Sequence, residues 1–225
     1  DFHIVFHAIH NFCVVDMSNF YLDIIKDRLY CEPADSVARR SAQTAMYRIL
    51  SAIARLVAPI LSFTADEIWA YMKHSKDENP ESVFLNDMPK KSGLSYSDEF
   101  VEKWNYIYNI RIDAKKALEL KRADKVIGSS LEADLVIYAG DDFDKLSAIK
   151  DILPVVFIVS KVDIERSGDA EFTGETTGLG FTVKKASGKK CERCWIYSDT
   201  VGANHEHPTH CERCANTVGN CDCAE

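Results

Sequence analysis

Two C-x-x-C pairs, Cys191/Cys194 and Cys211/Cys214, stand near the end of the chain with sixteen residues between them. A C-x-x-C turn brings two thiolates to one side of a knuckle, where both reach one metal ion at ~2.3 Å, and a second knuckle completes a tetrahedron. With all four positions filled, no site is left for a water or a substrate. The spacing therefore predicts one structural zinc ion and no metal catalysis. Iron suits the same four-sulfur geometry, and redox thiols or two disulfides are the rival readings. The stretch is about 25 residues long with almost no apolar side chains, so metal binding has to supply most of its folding free energy.

The compartment follows from the same cysteines. Six of the eight crowd into the last 35 residues, while Cys13 and Cys31 stand alone. That distribution suits a metal site in a reducing cytoplasm better than a disulfide framework. The chain opens on Asp1, without a basic n-region or an initiator Met. No secretory signal is expected there, and the chain reads as a piece of something longer or a processed product. No apolar run is long enough to span a bilayer.

Charge excludes a uniformly basic nucleic-acid binder: 27 basic against 35 acidic side chains leave a net charge of −8 over 225 residues. The average conceals strips of one sign. Lys103 to Lys125 holds seven Lys or Arg against three acids, and Lys184 to Arg193 holds five against one. An acidic stretch from Glu132 to Glu175 lies between them. Screening limits each charge to ~10 Å, so such strips act locally on phosphate.

Periodicity predicts a mainly α fold: a helical domain over 1–127, a small α/β module over 128–186 and a zinc knuckle with its tail over 187–225. Apolar residues recur at helical spacing through Ile4, Ala8, Phe12, Val15, Ile24 and Ile25, with a kink expected around Asn11, Ser18 and Asn19. Pro33 ends that element. Asp35 or Ser36 caps a second helix with apolar positions Val37, Ala45, Ile49, Ala52, Ile53 and Leu56, and Pro59 stops it. Thr64 and Glu67 read as a capping box opening a short helix through Trp69. Residues 73–97 read as a loop. A long helix follows from about Asp98 to Lys125, its buried stripe predicted as Phe100, Trp104, Ile107, Tyr108, Ile110, Ala114 and Leu118. Lys115, Lys116, Lys121 and Arg122 lie off that stripe, on a face that is either merely solvated or set against phosphate.

Beyond Gly128 the pattern changes. Leu131, Ala133, Leu135 and Ile137 alternate as a strand. Phe143 to Ile152 reads as helical and Val155 to Val159 as a short buried strand. Phe172 to Val183 reads as a hairpin. No internal repeat stands out.

Other candidates read as ordinary. His3, His7 and His10 share one helical face, but the Glu of an H-E-x-x-H site is missing. His205, His207 and His210 read as exposed loop histidines, since four thiolates already complete the site. Cys221 and Cys223 read as a free-thiol tail. Trp195, next to Cys194 and among Lys184, Lys185, Lys189, Lys190 and Arg193, has two readings. Either it packs over the metal shell, or it projects as a platform for an unstacked base, with the cations on phosphates. No phosphate-binding glycine loop, G-x-S-x-G motif or triad is present, so no catalytic residue is assigned.

Four blocks carry a resemblance. Asn11-Phe12-Cys13-Val14-Val15-Asp16 with Phe20-Tyr21-Leu22-Asp23 and Lys26-Asp27-Arg28-Leu29-Tyr30 resembles the opening of the anticodon-binding domain of class I isoleucyl-tRNA synthetases. Ala58 to Trp69 and Ile127 to Ala133 resemble the next shared blocks. Lys190-Cys191-Glu192-Arg193-Cys194-Trp195 is similar to the zinc end of the bacterial type. The resemblance covers nearly the whole chain.

It implies part of a cytoplasmic, monomeric ligase that joins isoleucine to tRNA(Ile) using ATP. The H-I-G-H-like and K-M-S-K-S-like catalytic motifs and the editing domain of that family do not occur here. ATP and catalysis would therefore belong to the catalytic domain of the same polypeptide, and this chain alone would be non-catalytic. By resemblance, Arg193 and Trp195 contact the anticodon end, beside Lys189 and Lys190. Lys115, Lys121 and Arg122, on the basic helix, track phosphates. Two other classes compete: a structural zinc module for protein contacts, and a DNA-binding zinc-finger protein of the formamidopyrimidine glycosylase type. The latter lacks support, because an N-terminal proline nucleophile is missing and the first half reads as helical.

Overall fold

The computed structural model describes residues 1–91 and 93–219. They form two compact units: Asp1–Leu29 with Ala34–Ser95, and Tyr30–Pro33 with Tyr96 onward. The first unit is helical. It opens with α1 (Phe2–Asn11), which runs into a π-helical segment, Phe12–Tyr21, then a short α2 (Leu22–Ile24). Where a kink was expected, the helix instead widens: the Leu22 N–H bonds to the Met17 carbonyl five residues back. Wide turns of this kind are rare and brief in most folds.

The helix α3 (Lys26–Cys31) stops two residues before Pro33. α4 (Val37–Val57) starts where expected, with Ser36 Oγ accepting the Arg39 N–H at 3.1 Å. Its stripe differs in part, because Val37 is 84% exposed and the buried positions are Ala42, Ser51, Ala54 and Val57. α5 (Ser62–Tyr71) begins two residues before Thr64 and has no side-chain cap. The Thr64/Glu67 pair is therefore interior to the helix, not a capping box. Ala54, Val57, Ala58, Ala65, Trp69 and Val83 form the core between these helices. The Trp69 indole N–H donates to the Asn79 carbonyl at 2.9 Å, so the loop predicted over 73–97 is tied to the core.

The second unit is built on α6 (Asp98–Ala123), capped by Ser97 Oγ, with acids in its first turn and Lys121 and Arg122 in its last. Both charge placements suit the helix dipole. Its buried side is Ile107, Ile110, Arg111, Asp113, Ala114, Ala117 and Leu118. Phe100 and Tyr108, predicted inside, are exposed. Arg111 and Asp113, which the predicted stripe did not include, are inside because each has partners there. Arg111 Nε donates to the Val156 carbonyl at 3.0 Å. Asp113 accepts from the Thr177 N–H and hydroxyl, both at 2.8 Å, and from the Thr176 N–H at 3.2 Å.

α6 packs against a four-stranded sheet of β1 (Ala133–Tyr138), β2 (Lys161–Glu165), β3 (Phe172–Thr173) and β4 (Gly180–Lys185), ordered β2-β1-β4-β3. β1 and β2 are parallel, with Leu135 opposite Val162. β4 is antiparallel to both β1 and β3. The crossover from β1 to β2 holds α7 (Phe143–Ser147) and α8 (Leu153–Phe157). Val155 to Val159 is thus not a strand. Pro154 starts a buried helical turn that ends with Ile158 in the left-handed region at φ +59°. A short apolar run suits a buried helix as well as a strand. The last elements are the ribbon β5 (Lys189–Lys190) and β6 (Tyr197–Ser198), then α9 (Glu212–Gly219). Cys221 and Cys223 lie outside the described residues.

Candidate metal centre and nucleic-acid face

The ribbon β5–β6 carries the first knuckle in its turn. Lys190 pairs with Tyr197, and the Cys191 N–H donates to the Ile196 carbonyl at 2.9 Å. Gly188, at φ +81°, opens the ribbon where a Cβ would stand 2.5 Å from the Ser198 backbone, so only glycine fits. The second knuckle leads into α9, and the Cys211 N–H donates to Cys191 Sγ at 3.3 Å. All four sulfurs lie within 4.8 Å of one another. Cys191, Cys211 and Cys214 are buried and Cys194 is half-buried.

The donor set fits zinc. Four Zn–S bonds of ~2.3 Å require sulfurs ~3.8 Å apart, and Cys194 Sγ and Cys211 Sγ are 3.8 Å apart. The electrostatics also ask for a cation. Burial opposes ionisation of Cys191, but N–H groups of Cys194, Cys211 and Arg193 outweigh it and pull the thiol down to about 6. Burial pushes Cys194 and Cys214 up, and neighbouring sulfurs add to that. A metal ion removes the conflict, because it stabilises all four as thiolates. It would hold the knuckle together and supply no reaction step. His205, His207 and His210 stand outside the cluster. The first is exposed, the other two half-buried.

Trp195 does not cover the metal shell. It is 61% exposed and takes the left-handed conformation at φ +64°. Its N–H closes the knuckle on the Cys191 carbonyl at 2.9 Å. A left-handed non-glycine residue costs roughly 1–2 kcal/mol, and such strain collects at functional positions. Lys190 Nζ sits 5.3 Å from the ring centroid. Lys184, Lys185 and Lys189 are exposed.

Arg193 is placed differently. Its guanidinium donates to the carbonyls of Cys31 at 2.6 Å and Tyr30 at 3.2 Å. Arg213 Nη1 lies 3.5 Å from Glu32 Oε1. Both arginines come from a C-E-R-C tetrapeptide, present at Cys191–Cys194 and again at Cys211–Cys214. That four-residue repeat is the signal sequence reasoning passed over.

The basic strip of α6 meets the acidic stretch. Lys121 pairs with Glu171 at 3.0 Å and Lys116 with Glu175 at 2.7 Å. Arg122 pairs with Glu119 and donates to Ser130 Oγ at 3.1 Å. Lys115 is exposed. The surface pairs are worth little, ~0–1 kcal/mol each. His3, His7 and His10 are exposed on α1.

Residues 1–137 match the family described as the anticodon-binding domain of tRNA ligase. The chain belongs to that family. Residues 188–217 match a second one, the zinc finger found in FPG and IleRS. Curated relatives narrow the class. The isoleucine–tRNA ligase of Caldanaerobacter subterraneus subsp. tengcongensis is 46% identical over 222 residues, 97% of this chain and 24% of that protein. That of Syntrophotalea carbinolica is 49% identical over 217 residues, covering 95% and 23%. That of Carboxydothermus hydrogenoformans is 48% identical over 221 residues, covering 97% and 23%. The chain thus spans about a quarter of the length of these relatives. No helix among the described residues is long and apolar enough to cross a membrane.

Proposed function

We propose that the chain is the anticodon-binding and zinc-bearing part of an isoleucine–tRNA ligase, and that it holds the anticodon stem-loop of tRNA(Ile). One observation carries the reading: Trp195 stands exposed, in a strained left-handed turn of the zinc knuckle, with Lys190 over its ring. A flat ring beside cations suits an unpaired base with its phosphates. Lys189 and Lys190 form the strand that leads into that turn, and Arg193 lies within it. Lys115, Lys121 and Arg122 on α6 take backbone phosphates, contacts that position the RNA without reading it.

The functional parts run over 1–127, 128–186 and 187–225. The ATP site and the chemistry belong to the remaining length of the polypeptide, which acts as a monomer in the cytoplasm. The knuckle zinc is structural.

A titration of tRNA(Ile) against the zinc-loaded chain at two salt concentrations tests this. Binding should fall with salt, and Trp195→Ala should weaken it by roughly 5- to 100-fold, the range of one lost base stack. Absence of binding at low salt would favour a zinc module for protein contacts.

A further inference from the structure

The two C-E-R-C tetrapeptides send their arginines to one short segment, Tyr30–Pro33. Arg193 holds two consecutive carbonyls, those of Tyr30 and Cys31, with one guanidinium. Arg213 reaches Glu32, the next residue. A contact returns the other way: the buried Cys31 thiol donates to the Arg193 carbonyl at 3.7 Å. Tyr30 and Cys31 end α3. Carbonyls in a last helical turn have no N–H partner within the helix, and they carry the negative end of its dipole. A guanidinium spans two such acceptors with separate donors, which a lysine ammonium does not reproduce. Arg193 is also joined through Cys194 to Trp195, so its anchor sets where that turn of chain points.

We infer that Arg193 is a positioning residue that docks the zinc knuckle on the end of α3 through the Tyr30 and Cys31 carbonyls, with Arg213 on Glu32 as a second hold, and thereby fixes the direction in which Trp195 meets RNA. The docking stands on the geometry alone; its consequence for RNA rests on the proposed function. The guanidinium is then engaged by the protein, and its effect on RNA passes through Trp195.

The test uses the zinc-loaded chain and a transcript of the tRNA(Ile) anticodon stem-loop. Wild type is compared with Arg193→Ala, Arg193→Lys, Trp195→Ala and the Arg193→Ala/Trp195→Ala double variant. Without RNA, amide exchange over 188–198 and 28–33 should rise about tenfold or more in both Arg193 variants, with zinc content unchanged. With RNA, both should bind roughly 5- to 100-fold more weakly, at an unchanged slope of log affinity against log salt. In the Trp195→Ala background, Arg193→Ala should add nothing.

A direct phosphate contact predicts the reverse: Lys substitutes well, the slope falls by ~0.7–0.9, and the two losses add. That result, or unchanged exchange, overturns the proposal. Should Arg193→Ala lose zinc, Arg213→Gln serves as the milder variant: a smaller rise in exchange supports the docking, and none overturns it. A response in exchange without any stem-loop binding by wild type would retain the docking and overturn the RNA reading instead.

Discussion

Cys194 Sγ and Cys211 Sγ, one from each knuckle, stand 3.8 Å apart, the edge of a tetrahedron around a zinc ion. The surrounding core is slight, with Val201 the one non-cysteine side chain in the buried cluster. Removing zinc should therefore unfold the knuckle and leave the sheet of the same unit intact. Chelation should abolish amide protection over 188–217, while β1 and β4 keep theirs. Cys194→Ser should lower zinc affinity sharply, read by competition with a chromophoric chelator. Retained protection in the chelated chain would contradict a metal-built knuckle.

Glu78 organises the loop of the first unit. Its carboxylate accepts from the Tyr47 hydroxyl, from Ser51 Oγ at 2.6 Å and from the Ser75 N–H at 2.9 Å. Burial opposes its charge, but these donors outweigh burial and hold it at about 2, below the ordinary 4.5. The sign follows: the stabilisation is complete above the ordinary value and is lost as pH falls through the folded one. Glu78→Gln should lower stability by on the order of 1–3 kcal/mol at neutral pH. It should also flatten the acid limb between about pH 4.5 and 2 in urea titrations. An acid limb identical to wild type would exclude this role.

The zinc site was legible in the sequence because C-x-x-C geometry is local: the spacing alone decides which atoms meet. The cap at Asp35 or Ser36 was legible for the same reason, and Ser36 supplies it. Val155–Val159 was not, since an apolar run of five says only that it is buried, and Pro154 at the helix start was the better guide. Phe100 fits the helical period yet lies outside, because the buried positions of α6 begin only at Ile107; Tyr108 is exposed although it sits among those turns, next to the fully buried Ile107. The partners of Asp113 and Arg193 lie 64 and 162 positions away in the chain, so no local pattern announces them. The repeated C-E-R-C hinted at a shared role for its arginines, but only the fold reveals Tyr30–Pro33 as their common target.

Asp113 sets a demand on Gly174. A Cβ there would stand 2.3 Å from Asp113 Oδ2, against the buried carboxylate that holds this turn through Thr176 and Thr177. Gly174→Ala should destabilise the second unit by about 1–3 kcal/mol, the range for overpacking. Asp113→Ala should cost a similar amount by leaving the Thr177 N–H without its acceptor. In the double variant the two effects should overlap instead of adding, since the first removes what the second must displace. Urea midpoints of the four proteins measure this, and full additivity would refute the coupling.

Trp195 joins exposure to backbone strain, and the two separate by substitution. Trp195→Ala and Trp195→Gly both delete the ring, so both should lose stem-loop affinity alike. They differ at φ +64°, which alanine resists and glycine adopts freely. Trp195→Gly should therefore be more stable than Trp195→Ala by about 1 kcal/mol, read as a shift in thermal midpoint with zinc bound. The same comparison bears on why a tryptophan occupies a turn that glycine would fill at lower cost. If glycine restores stability and RNA binding stays lost, the strain is retained for the ring it presents. If Trp195→Gly binds the stem-loop as tightly as wild type, the ring is not the platform, and recognition passes to Lys189 and Lys190.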